Sequence, residues 1–184
     1  MRLTEAFPWG ILVLEPEIHI DTRGYFFEFW KLRDYRSHGI YEDFVQENVS
    51  VSYKNVLRGM HYQLQHPQGK LVTVLYGKVF DVVIDLRLNS PSFKRWFGIV
   101  LSDENNLIMY VPPGFAHGFC VMSERAVFLY KCTSYYNPED EYGVRWNDET
   151  IGIHWPIKEP ILSVKDQHLP TLQEIPEEHL FRTN

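Results

Sequence analysis

Residues 70–87 read KLVTVLYGKVFDVVIDLR, two runs rich in β-branched and aromatic residues joined at one glycine. Runs of this composition, bounded by turn-forming residues, are typical of β-strands. We therefore predict strands at Lys70–Tyr76 and Lys78–Arg87. The short link Tyr76-Gly77-Lys78 is predicted to be a hairpin connection.

The same pattern continues on both sides of this segment. Short strand-like runs separated by Gly, Pro, Asn and Asp favour an all-β sandwich or barrel. The further predicted strands are Val49–Tyr53, Val56–Gln63, Trp96–Leu101, Asn106–Val111, Gly118–Met122 and Ala126–Tyr135, with Ser123-Glu124-Arg125 as a second hairpin connection. An earlier predicted pair, Ile11–Pro16 and Gly24–Trp30, flanks a turn at residues 21–24.

Helical signal is weak. Lys31–His38 is predicted to form one or two helical turns ended by Gly39, and Asn147–Ile151 one more. The tail from Pro156 onward holds Pro156, Pro160, Pro170 and Pro176, four of the eleven prolines. We expect this tail to wrap the surface rather than to form another core. No repeat or linker divides the chain, so one domain over residues 1–184 is predicted.

Composition narrows the functional class. A chain of 184 residues with 45% hydrophobic and 15% aromatic residues should form an ordered globular core. The net charge of −6 argues against general nucleic-acid binding, and a phosphate ester would need a local basic pocket. No apolar run approaches the ~20 residues of a membrane span. The start lacks the apolar segment of a signal peptide, so we predict a cytoplasmic protein with no membrane partner.

Residues 57–72, LRGMHYQLQHPQGKLV, carry the densest set of reactive side chains. His61 can move protons near pH 7. Arg58 and Lys70 can hold a phosphate or a developing oxyanion. Taken alone, each of these residues could instead be structural or simply exposed to solvent. That is the commoner role for an isolated histidine in a strand and for a lysine at the end of a strand.

A metal site is a second interpretation of the same segment. A metal-binding β-barrel would show His-x-His on a strand, followed by an acid and a distant third histidine. Here Gln63 takes the place of the second histidine, and no Glu follows before Lys70. A three-ligand site would have to recruit His66 or His117 from less suitable settings. We therefore predict no metal.

Three residues far from this segment are further candidates. Alternation along a strand places Tyr130 and Tyr136 on one face beside small residues. They are either ordinary core and rim residues or a proton donor and a stacking platform for a flat base. Asp166 is an exposed acid unless the tail folds back to bond His61 and fix its tautomer. The two cysteines, Cys120 and Cys132, are predicted to be buried free thiols.

Taken together, these segments resemble the nucleotide-sugar epimerases of the dTDP-4-dehydrorhamnose 3,5-epimerase family. The matching motifs are DTRGYFFE at 21–28, FVQEN at 44–48, VLRGMHYQ at 56–63, QGKLV at 68–72, VFDV at 79–82, PPGFAHGF at 112–119, LYK at 129–131 and SVKD at 163–166. The resemblance covers nearly the whole chain. It implies a cupin-type jelly roll with its core at about 45–136, short peripheral helices and an extended C-terminal tail.

The resemblance also implies a reaction and a set of site residues. His61 would be the base, Tyr130 the acid, Asp166 the partner of His61, and Lys70 the group that steadies an enolate. The implied substrate contacts are Arg23, Glu28, Gln46, Glu47, Asn48, Arg58, Lys70, His117, Glu141 and Lys165, with Tyr136 stacked on the thymine. Glu47 departs from the family, in which aspartate is more usual at that position.

The implied reaction is epimerisation at carbons 3 and 5 of dTDP-4-dehydro-6-deoxy-D-glucose, in dTDP-L-rhamnose biosynthesis. Family members use no metal or other cofactor, and they are homodimers that exchange N-terminal strands. The alternatives are a single-centre epimerase or a 3,4-ketoisomerase on the same scaffold. Two further alternatives belong to other functional classes: a metal-dependent cupin oxygenase and a non-catalytic module that binds sugar nucleotides.

Overall fold

The computed structural model describes residues 1–7 and 9–182, and it is built mainly from β-strands. The strands are β1 (Arg2–Ala6), β2 (Leu12–Glu15), β3 (Ile18–Asp21), β4 (Gly24–Phe27), β5 (Gln46–Tyr53), β6 (Leu57–Gln63), β7 (Lys70–Tyr76), β8 (Lys78–Asp85), β9 (Trp96–Ser102), β10 (Ile108–Val111), β11 (Phe115–Val121), β12 (Arg125–Cys132) and β13 (Glu141–Gly143). The helices are α1 (Leu32–Ser37) and α2 (Val164–Gln167), and 3₁₀ turns lie at Pro138–Asp140, Leu172–Glu174 and Glu177–His179. No helix among these residues is long and apolar enough to cross a membrane.

Two antiparallel sheets form the body of the fold. One has the strand order β1-β2-β10-β7-β12-β5 and the other β13-β6-β11-β8-β9, while β3 and β4 make a separate hairpin. Buried side chains from both sheets, among them Val72, Val83, Phe119 and Phe128, belong to one apolar cluster. Side chains two positions apart along a strand lie on the same face of its sheet. Each sheet therefore supplies alternate residues to this cluster. The predicted all-β, cupin-type jelly roll is confirmed.

The two predicted hairpin connections are wrong. β7 lies in the six-stranded sheet and β8 in the five-stranded sheet, so the link at Gly77 crosses from one sheet to the other. The same is true of residues 122–124, which join β11 to β12. Gly77 has a φ of +80°, and a side chain there would come within 2.1 Å of the Arg125 carbonyl oxygen. A tight turn at a glycine shows where the chain reverses direction. It does not determine which sheet the next strand joins.

Several element boundaries also differ from the predictions. β11 begins three residues before the predicted Gly118, and β12 ends at Cys132 rather than Tyr135. The strand that pairs with β4 is β3, not the predicted run Ile11–Pro16. The predicted helix at Asn147–Ile151 is a turn, because the Asp148 carboxylate accepts the amides of Thr150 and Ile151. The helix predicted at Lys31–His38 is confirmed as α1, and both cysteines are buried free thiols.

The C-terminal tail does more than wrap the surface. Leu172, Ile175 and Leu180 are buried with Met60 and other residues of the five-stranded sheet, in a cluster separate from the central core. The tail therefore adds a second apolar layer, which corrects the prediction that it forms no further core. Its short helix α2 was not predicted. The Ser163 hydroxyl caps it by accepting the Asp166 amide at 3.1 Å.

Asp140 fixes the loop between β6 and β7 that leads to Lys70. Its carboxylate accepts the backbone amides of Leu64, Gln65 and His66 at 2.8–3.2 Å. Burial alone would raise the pKa of Asp140, but these amide hydrogen bonds lower it below its ordinary value.

We expect Asp140→Ala to lower the free energy of unfolding by about 3 kcal/mol at pH 7, because it removes the charged acceptor shared by three backbone amides. Since the folded-state pKa is depressed, this contribution is fully present above the unfolded pKa of about 4 and is lost progressively as the pH falls from there through the folded-state pKa. Urea unfolding at pH 7 and pH 3 measures both effects. A difference between wild type and variant that is the same at the two pH values would contradict the assignment. Glu139→Ala, beside it on the exposed side, is the matched control.

Candidate active site

A cavity of about 690 Å³ lies between the two sheets and is bounded on one side by the tail. Its walls come from β5, β7 and β12 of one sheet, from β6 and β11 of the other, and from residues 161–166. Eleven of the predicted site residues line it: Gln46, Asn48, Arg58, His61, Lys70, His117, Tyr130, Tyr136, Glu141, Lys165 and Asp166. Residues from distant parts of the chain are thus gathered around one space.

Three predicted contacts lie outside this cavity. Arg23 and Glu28 belong to the β3–β4 hairpin region, where Arg23 pairs with Asp21 and Glu28 pairs with Lys31. Glu47 lies on β5 between Gln46 and Asn48, so its side chain points to the opposite face of the strand, where it pairs with Lys131. A single chain does not bring these three side chains to the site.

His61 is held by a carboxylate from the tail. Asp166 Oδ1 lies 2.6 Å from His61 Nε2, although the two residues are 105 positions apart. Asp166 is only 3% exposed. Burial would raise its pKa, but the hydrogen bond and the charge of His61 lower it below its ordinary value. Because an ionised carboxylate can only accept, Nε2 carries the proton and Nδ1 of the neutral ring remains free to take one.

Glu141 lies on the other side of the same imidazole. Its Oε1 is 3.6 Å from His61 Nδ1, while its Oε2 accepts from Tyr136 Oη at 2.7 Å and from Lys165 Nζ at 2.6 Å. Burial opposes ionisation of Glu141, but these partners lower its pKa. The hydrogen bond to Glu141 in turn raises the pKa of Tyr136 to about 12. Two carboxylates, Asp166 and Glu141, therefore flank the His61 ring, one at each nitrogen.

Lys70 opens β7 and lines the cavity wall beside Cys132, its neighbour in register on β12. Burial lowers the pKa of Lys70, and the nearby negative charges of Asp81 and Glu141 offset this in part. An ammonium with few competing solvent contacts is suited to hold a developing negative charge on an oxygen.

His117 and Asp81 form a buried pair next to Lys70. Asp81 Oδ1 and Oδ2 lie 2.9 and 3.0 Å from His117 Nε2, and both residues are buried. Burial raises the pKa of Asp81, and His117 opposes that rise. Sequence reasoning did not include Asp81 among the site residues. The available signal was an acid inside an apolar strand, which requires a partner.

Tyr130 lies on the wall opposite His61. It pairs in register with Asn48 on β5 and with Val72 on β7, in the six-stranded sheet, whereas His61 belongs to the five-stranded sheet. Burial raises the pKa of Tyr130, so its phenol stays protonated at neutral pH. The cavity can therefore offer a proton acceptor on one face of a bound ring and a proton donor on the other.

The chain is similar in sequence to one known protein family over most of its length. Residues 9–174 match the family model described as dTDP-4-dehydrorhamnose 3,5-epimerase. The chain belongs to this family. The family's curated member from Methanothermobacter thermautotrophicus is 45% identical over 170 residues, which is 91% of this chain and 92% of that protein.

Solved structures of the family agree in fold. The Legionella pneumophila dTDP-6-deoxy-D-glucose-3,5-epimerase, in complex with dTDP-4-keto-L-rhamnose, superposes with a TM-score of 0.92 at 48% identity, covering 95% of this chain and 94% of that one. A 3′-monoepimerase from Streptomyces bikiniensis, in complex with dTDP-quinovose, gives 0.89 at 33% identity, covering 98% and 93%. The same scaffold thus occurs in proteins described as acting at two centres and at one.

No cluster of three His, Cys, Asp or Glu side chains placed to hold a metal ion occurs within residues 1–7 and 9–182. The residues that sequence reasoning missed are Asp81 and the tail serine Ser163, which caps α2 and so positions Asp166. A serine three residues before an acid, in Ser163-Val164-Lys165-Asp166, was the local signal for that helix start.

Proposed function

We propose that this protein epimerises carbons 3 and 5 of dTDP-4-dehydro-6-deoxy-D-glucose to give dTDP-4-dehydro-L-rhamnose, in dTDP-L-rhamnose biosynthesis. The observation that carries the proposal is the placement of His61, held by Asp166, opposite Tyr130 in a cavity that Lys70 also lines. Membership of the family supplies the substrate class. We also propose a cytoplasmic location, on the sequence features given above.

The mechanism follows from the ketone at carbon 4, which acidifies the hydrogens on carbons 3 and 5. His61 removes one of these protons and becomes an imidazolium flanked by Asp166 and Glu141. The electron pair moves to the ketone oxygen, and Lys70 stabilises the resulting enolate. Tyr130 then returns a proton to the same carbon from the opposite face, which inverts that centre. The imidazolium of His61 then releases its proton to solvent and the Tyr130 phenolate takes one from solvent, so both groups return to their starting states before the next proton transfer. The reaction involves no net oxidation or group transfer.

The remaining residues would bind rather than react. Arg58 and Lys165 provide positive charge for the diphosphate, and Tyr136 offers a ring against which the thymine can stack. Gln46 and Asn48 would contact the ligand through their amides. His117, next to Lys70 and paired with Asp81, would help to hold the enolate oxygen.

Product analysis by NMR in heavy water tests the proposal. Two-centre epimerisation incorporates solvent deuterium at both carbon 3 and carbon 5 of the dTDP-4-keto sugar. Label at carbon 3 alone would replace the proposal with a single-centre epimerase, the second candidate that the Streptomyces bikiniensis neighbour favours. A product with its ketone at carbon 3 would indicate a ketoisomerase. Tight binding without exchange at either carbon would indicate a binding module.

Lys70→Met should separate catalysis from stability. Methionine keeps the apolar length of the side chain but cannot hold an enolate oxygen, so we expect kcat to fall by about 10²–10³-fold. The free energy of unfolding should not fall, because the variant removes a charge that burial disfavours. Steady-state kinetics and urea unfolding measure the two effects. Lys94→Met is the control, because the Lys94 ammonium lies near the Phe93 ring and away from the cavity. An unchanged kcat would contradict the role of Lys70.

We further propose that the protein is a homodimer in which N-terminal strands are exchanged. The β3–β4 hairpin exposes 80% of Ile20 and 64% of Phe26, and β5 is an edge strand with Val49 and Val51 outward. Exposed apolar patches of this kind mark protein–protein contacts. Exchange of the hairpin would carry Arg23 and Glu28 to the partner's cavity, which explains why they lie outside the cavity of their own chain.

Arg23→Ala tests this arrangement. We expect light scattering to give twice the mass of one chain for both wild type and variant. The variant should raise KM about tenfold with kcat unchanged, because it removes a contact made equally to substrate and transition state. Arg33→Ala, an exposed arginine on α1, is the matched control. A monomeric protein with an unaltered KM in the Arg23 variant would exclude strand exchange.

A further inference from the structure

Ser50 has an unpaired hydroxyl. Among the buried side-chain nitrogen and oxygen atoms of residues 1–7 and 9–182, Ser50 Oγ is the one without a hydrogen-bond partner. Buried polar atoms are otherwise almost always bonded, so such an atom calls for an explanation. Ser50 also lines the cavity, which makes a bound ligand the natural partner for its hydroxyl.

The neighbours of Ser50 on β5 already have partners. Gln46, Asn48, Ser50 and Ser52 share the inner face of the strand, since side chains alternate between its two faces. Gln46 Nε2 donates to Asn48 Oδ1 at 3.0 Å, and Gln46 Oε1 accepts the Tyr136 amide at 2.9 Å. Ser52 Oγ accepts from Arg58 Nε at 3.0 Å. Ser50 is the member of this row whose side chain has no partner within the described part of the protein.

Strand register fixes where Ser50 lies relative to the reacting groups. Along β12, Cys132 pairs with Lys70, Tyr130 pairs with Asn48, and Phe128 pairs with Ser50. Successive residues on one face of a strand lie about 6.8 Å apart. Ser50 is therefore one step beyond Tyr130, on the side away from Lys70. The Ser52–Arg58 pair lies at the next step in the same direction.

The surroundings of Ser50 select a neutral partner. Phe128 is its neighbour in register, and Phe119 stacks on Phe128 with ring centroids 4.3 Å apart. An apolar setting of this kind disfavours burial of a phosphate beside the hydroxyl. The arginine in the following row is better suited to the phosphate. A sugar hydroxyl, which can both donate and accept, fits the position of Ser50.

We propose that Ser50 Oγ hydrogen-bonds the hydroxyl on carbon 2 of the substrate sugar and so selects 2-hydroxy over 2-deoxy sugars. This inference rests on the proposed function, in which Lys70 holds the oxygen of carbon 4. The far side of the ring then carries carbons 1 and 2. Carbon 1 bears the phosphate, so the hydroxyl that remains on that side is the one on carbon 2. It is not on a reacting carbon and keeps its configuration throughout the reaction.

The test compares two substrates with two proteins. The substrates are dTDP-4-keto-6-deoxyglucose and its 2-deoxy analogue, and the readout is kcat/KM from deuterium incorporation at carbons 3 and 5. Wild type should prefer the 2-hydroxy substrate about tenfold. Ser50→Ala should be about tenfold slower on that substrate and should show no preference between the two. Its affinity for dTDP alone should be unchanged, because dTDP lacks the 4-keto hexose that carries the hydroxyl on carbon 2.

Ser52→Ala is the matched control. It removes the hydroxyl that positions Arg58, so it should weaken the binding of dTDP while it keeps the preference for the 2-hydroxy substrate. A Ser50→Ala protein that retains the preference, or that loses affinity for dTDP itself, would overturn the inference. If the Ser50 inference fails in this way but the wild type still exchanges hydrogen at both carbons, the proposed function is retained. Absence of exchange in wild type would overturn the proposed function and this inference with it.

Discussion

His61→Asn is expected to lower kcat by about 10²–10⁴-fold, the usual contribution of a positioned general base. Asparagine retains a polar side chain in contact with Asp166 but cannot accept a proton near neutral pH. Deuterium exchange at carbons 3 and 5 should fall together with product formation, because removal of the proton precedes both. KM should change little, since the nucleotide contacts are made by other residues.

His154→Asn is the control for this variant, because His154 is exposed just before the tail and contacts Trp96 away from the cavity. Single-turnover measurements separate the chemical step from product release. Persistent exchange in the His61 variant at a rate near that of wild type would show that another group removes the proton. Asp166→Asn should give a smaller loss of activity, because it leaves the imidazole in place but removes the carboxylate that fixes its tautomer.

Tyr130→Phe is expected to lower product formation by about 10²–10⁴-fold through loss of the proton donor. Its effect should differ in kind from that of His61→Asn. His61 still removes a proton and can return a deuteron to the same face, so deuterium should enter the substrate without inversion. NMR in heavy water would show labelled substrate with little epimer. That separation of exchange from inversion is the signature of a missing acid on the opposite face.

Tyr135→Phe controls for loss of a nearby hydroxyl, because Tyr135 is exposed and does not line the cavity. If exchange and inversion in Tyr130→Phe fell in parallel, Tyr130 would act in binding rather than as the donor. Inversion retained at carbon 3 and lost at carbon 5 would show that the two centres depend on different donors.

Much of the fold could be predicted because strand patterns are local. The run Lys70–Tyr76 is recovered with the same bounds, and alternation along β12 agrees with the position of Tyr130 at the cavity. Tyr136 also lines the cavity, but it lies beyond the end of β12, so alternation does not account for its position. The link at Gly77 was misassigned because the choice between a hairpin and a crossing to the facing sheet depends on packing between sheets. Local residues do not encode that choice.

The site residues also differ in how far they could be predicted from local sequence. Residues 57–72 hold His61 and Lys70 in one continuous segment, in which β6 and β7 follow each other along the chain but lie in the two facing sheets. Asp166 could be placed beside His61 only through the family resemblance, because the apolar contacts that dock the tail are spread over some thirty residues. The substrate contact predicted at Glu47 depends on its backbone, since alternation along β5 turns its side chain away from the face shared by Gln46 and Asn48.

The late position of Asp166 has a consequence for the order in which the protein matures. The last strand, β13, ends at Gly143, so both sheets are fully translated before the residue that orients His61 leaves the ribosome. A chain that stopped at that point would contain strands β1–β13 but would lack the carboxylate that holds His61 Nε2. We therefore expect catalytic competence only after the tail has docked and has brought Asp166 to His61.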